Sequence, residues 1–315
     1  MSTAADSGPS GTVAVLLLAF GGPESLNDIE AFLGNILSGR KLSPEALAEI
    51  TERYRKIGGR SPLSEITAGQ AGALEVCLEK KGFPVKVYCG MRYWHPFIKE
   101  SVKALAAFGH TKVVSLIMAP HYSGYTVKGY RDDLDLALGE LGLDLELSFI
   151  TEWYDNKQFQ QAVAEKIEKQ ISGFKDPGKT AVIFTSHSLP VKFLGPDDPY
   201  VKQIRETVDG VVGLLKKPIS WNIGFQSKGM IPGEWIGPPV DEILDSLPGE
   251  GYKNVLIVPI GFCADHVEVL YDIDIVYRKK AQKLGLNFAR TESLNTSSRF
   301  IEGLSEVVLG KVRDE

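Results

Sequence analysis

The sequence predicts an α/β protein built from two similar Rossmann-like domains, each with a parallel sheet flanked by helices, and an active cleft between them. Short β-branched runs alternate with amphipathic segments of helical length along most of the chain. Strands that alternate with helices of about 10 to 15 residues indicate βαβ units and therefore a mostly parallel sheet. The second half of the chain repeats the element order of the first half, which favours two related domains over one large domain.

Composition restricts the possible classes of protein. The chain has 315 residues, 43% hydrophobic and 24% charged, which is ordinary for a globular protein. A net charge of −5 argues against a nucleic-acid binder. No apolar run approaches the roughly 20 residues of a membrane span. Residues 1–11 are rich in Ser, Gly and Ala and predict a flexible tail, not a signal peptide.

Each predicted element follows from its own pattern. Apolar runs that end at Gly, Pro or Asn predict strands, and apolar residues at helical spacing predict helices. The predicted strands are Val13–Phe20, Val85–Gly90, Lys112–Ala119, Leu145–Ile150, Ala181–Thr185 and Val255–Ile260. The predicted helices are Glu24–Leu37, 45–56, 64–81 and 127–141, with two further helices led by Phe159 and Phe300.

The two halves can be aligned on their strand ends. Val13–Pro23 aligns with Ala181–Pro190, and Lys112–Tyr130 aligns with Lys253–Tyr271, each pair being a strand followed by a loop. The first half is longer than the second, and its additional residues fall around 24–63. These additional residues predict an inserted helical lip over the cleft.

The repeat also predicts where the domains begin and end. The first domain is expected to comprise residues 12–152 together with 292–315, and to carry the lip. The second domain is expected to comprise residues 153–291. The two domains would line the cleft differently, because an aromatic residue at the end of the first strand of one half corresponds to a histidine in the other.

Two strand ends carry side chains suited to chemistry. The strand Ala181–Thr185 leads directly to His187, and Val255–Ile260 is followed by a turn, a predicted helix cap at Asp265, and Glu268. Asp272 follows at i+4, on the same helix face. Open α/β sheets bind ligands at the carboxyl ends of their strands, so a base and acids at these ends predict a site. Taken singly, each feature is also explained by a structural histidine or an acid-rich helix start.

Together these stretches resemble the ferrochelatase family. The family's motif strand–(S/T)-x-H-S-L-P followed by Asp-Pro-Tyr is matched by Thr185–Pro190 and Asp198–Tyr200, with Asp197 where the family has Gly. Its IGG-x-SP segment is matched by Ile57–Pro62, and its QSK and W-x-GP segments by Gln226–Lys228 and Trp235–Pro238. The resemblance spans nearly all of residues 12–312.

The resemblance implies a porphyrin ferrochelatase of haem biosynthesis with the class II chelatase fold, a lyase that inserts Fe²⁺ into a tetrapyrrole. His187 would accept pyrrole protons near pH 7, and Glu268 would handle metal or proton. His187, Glu268 and Asp272 would be the metal ligands. The third acid that the family places on this helix is Val276 here, so the acidic path is expected to be short.

The resemblance implies further residues around the macrocycle. Arginine suits a propionate carboxylate and aromatic rings suit an apolar macrocycle, although a solvated surface charge or cleft scaffolding explains some of these positions equally well. The implied substrate-binding residues are Phe20, Arg53, Tyr54, Ser61, Arg92, Tyr93, Tyr130 and Trp235. Fe²⁺ is expected as substrate, and no iron–sulfur cluster is expected, because Cys77, Cys89 and Cys263 are scattered.

Several alternatives stay open from the sequence. Protoporphyrin IX is favoured as substrate because Phe20 replaces a Tyr typical of many coproporphyrin enzymes, and coproporphyrin III is the alternative. A cobalt or nickel tetrapyrrole chelatase would share the fold. A tetrapyrrole carrier would not need Glu268, and a periplasmic binding protein would need a signal peptide. The expected location is cytoplasmic, with transient contact with a membrane surface, as a monomer or homodimer. The roles of His95 and His121 are left open.

Overall fold

Two separate parallel sheets form the centre of the molecule. A computed structural model describes residues 12–229 and 231–313. The described residues form two four-stranded sheets with the orders β2-β1-β3-β4 and β6-β5-β7-β8, and every pairing within them is parallel. The strands are β1 Thr12–Ala19, β2 Lys86–Met91, β3 His110–Ile117, β4 Glu146–Ile150, β5 Thr180–His187, β6 Ser220–Gln226, β7 Asn254–Val258 and β8 Asn287–Arg290.

Helices connect these strands, as parallel pairing requires. They are α1 Ile29–Ile36, α2 Pro44–Lys56, α3 Leu63–Lys80, α4 Ile98–Ala107, α5 Gly124–Leu141, α6 Lys157–Ile171, α7 Tyr200–Gly213, α8 Val240–Ser246, α9 Arg278–Lys283 and α10 Ser298–Arg313. A π-helix, Glu268–Tyr277, precedes α9 directly.

The identical strand orders confirm the predicted fold class and the alignment of the two halves. The first strand of each half, β1 or β5, lies inside its sheet and pairs with the second and third strands of that half. Both sheets therefore have the same topology, and the corresponding strand ends lie at corresponding places. Four of the eight strands, β1, β3, β5 and β7, lie inside the sheets, and their apolar runs are those of strands buried on both faces.

One large core joins the halves. Along β1, Val15 and Leu17 point into a cluster that also contains Val182 and Phe184 of β5, whereas Leu16 points to the other face. Helices α6 and α10 contribute to the shared cluster, and α10 packs on α3 and α6. The last helix of the chain therefore packs against elements of the first half. The exact domain boundaries stay a prediction.

The inserted lip begins with a different local structure from the one predicted. The expected helix Glu24–Leu37 is instead a 3₁₀ turn at Leu26–Asp28 followed by α1. The Ser25 hydroxyl donates to the Asp28 carboxylate at 2.8 Å, so this hydroxyl makes a local bond with the turn. The predicted helix over 45–56 is confirmed as α2, with the Ser43 hydroxyl accepting from the Ala46 amide at 3.2 Å.

The stretch after β7 also differs from the prediction. Asp265 does not cap a helix: its carboxylate accepts from Asn295 Nδ2 at 2.9 Å and from the Ser293 hydroxyl at 2.7 Å. The regular π-helix begins later, at Glu268. Within the described ranges, none of the helices is both long and apolar enough to cross a membrane.

Candidate active site

His187 and Glu268 meet at the carboxyl edge of the second sheet. His187 is the last residue of β5, where it pairs with Gln226 of β6, and Glu268 opens the π-helix that follows the neighbouring strand β7. The His187 Nε2 atom lies 3.3 Å from Glu268 Oε1. Adjacent parallel strands thus bring together two residues 81 positions apart in the sequence.

The hydrogen-bond partners of His187 define its protonation state. Its Nδ1 contacts the carbonyl oxygen of Ser188, and its Nε2 faces the Glu268 carboxylate. Both partners only accept hydrogen bonds, so both ring nitrogens must carry a proton to satisfy these contacts. The Tyr200 hydroxyl donates to the His187 carbonyl at 2.9 Å and fixes the strand end. The resting geometry is therefore that of an imidazolium–carboxylate pair.

The electrostatics agree with this geometry. Burial alone would lower the pKa of His187, but the charge and hydrogen bond of Glu268 outweigh it and raise the pKa to about 9. Burial would raise the pKa of Glu268, but His187 and then His266 hold that pKa well below its usual range. At pH 7 the resting pair is charged, which corrects the expectation of a neutral His187 base. The physical reason is the closeness of the carboxylate.

A second histidine contacts the same carboxylate. His266 Nε2 lies 3.5 Å from Glu268 Oε2, and its Nδ1 donates to the Ala264 carbonyl at 3.0 Å. The Phe262 ring lies 4.7 Å from the His266 ring and covers one side of it. The sequence prediction omitted His266 from the site. Its position two residues before Glu268 could have indicated that it belongs to the site.

Asp272 lies one turn beyond Glu268 but has a different partner. It accepts from the Ser227 hydroxyl at 2.6 Å, and burial raises its pKa. The Gln226 amide donates to the Glu268 carbonyl at 2.9 Å and ties β6 to the start of the π-helix. Among the residues that the structure describes, no three His, Cys, Asp or Glu side chains are grouped as a metal site. The structure thus pairs Glu268 with His187 and leaves Asp272 outside that pair.

Four of the predicted substrate-binding residues form one group in the first half. Phe20 follows β1 and is 45% exposed, and its ring lies 4.6 Å from the Tyr93 ring with the two planes tilted by 56°. The Arg92 guanidinium lies 4.9 Å from the Tyr93 ring and 5.7 Å from the buried Tyr130 ring, and its Nε donates to Asp133 at 2.9 Å. The group therefore presents the exposed Phe20 ring next to the partly buried Tyr93 and a guanidinium that is already paired.

The lip residues border that group, because Tyr93 packs against the lip core that contains Tyr54, and the Phe20 ring lies 6.3 Å from the Phe32 ring. Arg53 pairs with Glu49 and lies 5.6 Å over the Tyr271 ring of the π-helix. Tyr54 is buried in the lip among apolar side chains, including Val267. Ser61 is buried, and its amide donates to the Pro23 carbonyl at 2.8 Å.

Trp235 contacts the loop that follows His187. Its indole donates to the Ile231 carbonyl at 3.0 Å, and its backbone bridges to Pro190. The Ser188 hydroxyl donates to the Ile236 carbonyl at 2.7 Å. The W-x-GP segment therefore supports the HSLP turn.

The two histidines left open by the sequence lie outside this site. His95 is exposed and contacts Glu100 at 3.0 Å. His121 is buried and contacts the Thr207 hydroxyl at 3.0 Å, and burial lowers the pKa of His121 to about 3. His121 is therefore neutral at pH 7 and joins the two halves of the molecule through α7.

The three thiols have different polar partners. Cys77 Sγ contacts Glu302 at 3.4 Å, Cys89 Sγ contacts the Thr67 carbonyl at 3.5 Å, and Cys263 Sγ contacts the Met118 carbonyl at 3.3 Å. All three side chains lie in or against the large core that the two halves share.

Comparison with known proteins defines the class first. The sirohydrochlorin chelatase SirB of Bacillus subtilis subspecies spizizenii has the same fold, with a TM-score of 0.55 at 13% identity over 96% of this chain and 94% of that one. A family model described as Ferrochelatase matches residues 12–312. The ferrochelatase of Herpetosiphon aurantiacus is 37% identical over 306 residues, which cover 96% of this chain and all of that protein. The coproporphyrin III ferrochelatase 2 of Bacillus cereus is 36% identical over 305 residues, covering 96% and 95%.

The fold is thus that of chelatases, with a histidine–carboxylate pair at the carboxyl edge of one sheet. The chain belongs to the ferrochelatase family and is a metal-insertion enzyme. Both conclusions confirm the resemblance identified from the sequence.

Proposed function

We propose that this enzyme inserts Fe²⁺ into protoporphyrin IX and forms haem, with His187 accepting pyrrole protons and Glu268 handling the metal or a proton. The observation that carries the proposal is the 3.3 Å contact between His187 and Glu268 in a member of the ferrochelatase family. Coproporphyrin III is the alternative substrate, since that name is carried by relatives from Bacillus cereus and Oceanobacillus iheyensis.

Proton balance determines what the pair must do. Insertion replaces two pyrrole N–H protons with one Fe²⁺, so two protons leave the macrocycle for each ion inserted. The resting His187 already carries a proton, because Glu268 raises its pKa to about 9. That proton must leave before the imidazole can act as a base.

Arrival of the metal provides a reason for the proton to leave. A divalent cation at Glu268 neutralises the charge that stabilises the imidazolium, and repels the imidazolium directly. His187 would then be neutral, and able to act as a base, at the stage when the pyrrole protons must be removed. Asp272, one turn further along the π-helix, would be the next carboxylate to receive the released proton, and completes the proposed metal ligands with His187 and Glu268. His187 Nε2 has one lone pair, so it would bind the ion first and accept a pyrrole proton once the ion has left it for the macrocycle.

The remaining predicted residues supply the binding surface in this proposal. The exposed Phe20 ring, backed by Tyr93, suits the apolar face of a porphyrin. Arg92 and Arg53 are paired with Asp133 and Glu49, and Lys56 lies 5.8 Å over the same Tyr271 ring as Arg53. The preference for protoporphyrin IX therefore rests on Phe20, which stands where many coproporphyrin enzymes have Tyr.

Location and assembly belong to the same proposal. We propose that the enzyme is cytoplasmic and contacts a membrane surface transiently. It would act as a monomer or homodimer and would hold no iron–sulfur cluster. In the proposed lip, residues 24–63, apolar side chains such as Leu33 and Ile36 pack beside the small core and remain partly exposed. These side chains are where such a contact would form.

An anaerobic assay with both porphyrins tests the proposal. Purified protein is mixed with Fe²⁺ and either protoporphyrin IX or coproporphyrin III, and loss of the metal-free absorption bands is followed. We expect insertion into both, with the higher kcat/KM for protoporphyrin IX. A higher kcat/KM for coproporphyrin III would move the assignment to the alternative, and no insertion into either would contradict the function.

A further inference from the structure

We propose that Arg290 is a positioning residue that holds Glu268 in place by binding Asp265 and Asp274 at the same time. The expected effect of Arg290 on catalysis rests on the proposed function. The bridge itself is a structural feature of the π-helix and does not depend on that function. Arg290 makes no contact with His187 or Glu268, so it acts through the segment that carries Glu268.

The contacts of Arg290 form a two-sided bridge. Arg290 ends β8, and its Nε and Nη2 donate to the two carboxylate oxygens of Asp274 at 2.9 and 2.8 Å. Its Nη1 lies 3.3 Å from Asp265 Oδ1. The Arg290 side chain is only 12% exposed. A paired, bidentate guanidinium in such a position fixes both distance and orientation.

The two carboxylates lie on either side of Glu268 in the chain. Asp265 is in the loop between β7 and the π-helix, and Asp274 is within the π-helix itself. Asp265 is held further by Ser293 and Asn295, which follow β8. The bridge therefore fastens both flanks of Glu268 to the end of one strand of the sheet.

Among the described residues, the Glu268 carboxylate contacts the two histidines, and the Glu268 carbonyl accepts from Gln226. The buried side chains of Val269 and Ile273 hold the opposite side of this helix in the core. A π-helix has i→i+5 bonds and occurs rarely, so its register depends on tertiary contacts. Arg290 supplies such a contact from the side of the helix that faces β8. Loss of the bridge would let Glu268 move relative to His187.

Arg278 offers a matched control. It also contacts Asp274, through Nη2 to Oδ1 at 3.5 Å and Nε to the carbonyl at 3.0 Å, but its side chain is 42% exposed and it does not reach Asp265. Arg278→Gln therefore removes a cation from the same carboxylate without removing the bridge. Arg290→Lys keeps the charge but cannot bind both carboxylates in the planar, forked geometry of Arg.

The experiment compares wild type, Arg290→Lys, Asp274→Asn and Arg278→Gln by amide hydrogen exchange and by steady-state kinetics with Fe²⁺ and protoporphyrin IX. Exchange within residues 267–277 is expected to accelerate in Arg290→Lys and less in Asp274→Asn, with β1 and β5 unchanged. Misplacement of Glu268 by about 1 Å would lower kcat by up to about 100-fold, with porphyrin KM within about twofold. Arg278→Gln should match wild type in both measurements.

Each outcome decides the proposal. Wild-type exchange and wild-type kcat in folded Arg290→Lys would overturn it, as would equal losses in Arg278→Gln. A raised KM with unchanged kcat would also contradict a positioning role. If Arg290→Lys fails to fold, the isosteric Asp274→Asn decides in its place. The exchange measurement needs no activity, so a failure of the proposed function would not be mistaken for a failure of the bridge.

Discussion

At the residue scale, the site depends on the contact between the His187 imidazole and the Glu268 carboxylate at the carboxyl edge of the second sheet. Both residues follow strands whose apolar runs are clear in the sequence, and neighbouring parallel strands end at the same edge. The orientation of each ring depends on backbone carbonyls, those of Ser188 and Ala264, that no sequence pattern locates. For that reason the sequence identified the base and acid but missed His266, and it assumed a neutral imidazole.

The charge state gives a testable pH dependence. Because the folded-state pKa of His187, about 9, lies above that of a free imidazole, the stabilisation by the pair is lost as the pH rises from about 6.5 through 9. Because the pKa of Glu268 is held below its usual range, the stabilisation is also lost as the pH falls below about 4.5, the pKa of a free glutamate. Glu268→Gln should return the pKa of His187 toward about 6.5. The measurement is an NMR titration of the His187 imidazole in substrate-free protein, with melting temperatures recorded across the same pH range.

His266→Gln is the comparison variant, because it leaves the His187–Glu268 contact in place. His187 should still titrate well above a free imidazole in that variant. A His187 pKa near 6.5 in wild-type protein would contradict the imidazolium–carboxylate pair.

At the element scale, the lip shows what pattern alone can and cannot distinguish. The sequence predicted one helix over Glu24–Leu37, because apolar residues recur there at helical spacing. The structure forms a short turn and then α1, and buries Phe32 with Ile29 and Tyr54 in a small separate core. The segment that carries Glu268 also has a helical sequence pattern. That pattern does not distinguish an α-helix from a π-helix, so the π-helix at Glu268–Tyr277 could not be predicted.

The lip core and its rim should respond differently to mutation. Phe32→Ala removes a fully packed ring, which is 3% exposed, and should lower the free energy of unfolding by about 3–5 kcal/mol. Leu37→Ser lies past the end of α1, outside that core, and should change the stability by no more than about 0.5 kcal/mol. If the lip covers the substrate, Leu37→Ser should raise the porphyrin KM at an unchanged melting temperature. A normal KM in Leu37→Ser would show that this residue does not contact the macrocycle.

At the scale of the whole molecule, the duplicated topology was predictable because it depends on the order of strands and turns. The strand orders β2-β1-β3-β4 and β6-β5-β7-β8 match the internal alignment made from strand ends. The packing of α10 on α3 and α6 depends on which faces are complementary in three dimensions. Position in the sequence alone does not determine such packing.

The shared core predicts cooperative unfolding of the two halves. Phe300 of α10 is fully buried beside Trp153 and Phe159, so Phe300→Ala should cost about 3–5 kcal/mol. Hydrogen exchange should then accelerate in β1 and in β5 alike, because side chains from both strands join this core. Val312→Ala, near the end of the same helix and only partly buried, is the control. Acceleration confined to one sheet would contradict the coupling.

The most direct test of the central claim is the initial rate of Fe²⁺ insertion by His187→Ala. Removing a general base typically costs about 100-fold to 10,000-fold in rate, so insertion should fall by at least about 100-fold at a temperature where circular dichroism shows the variant folded. His95→Ala removes an exposed histidine outside the site and should keep its rate within about twofold of wild type. If His187→Ala inserts iron at the wild-type rate, the His187–Glu268 pair is not the group that accepts the pyrrole protons.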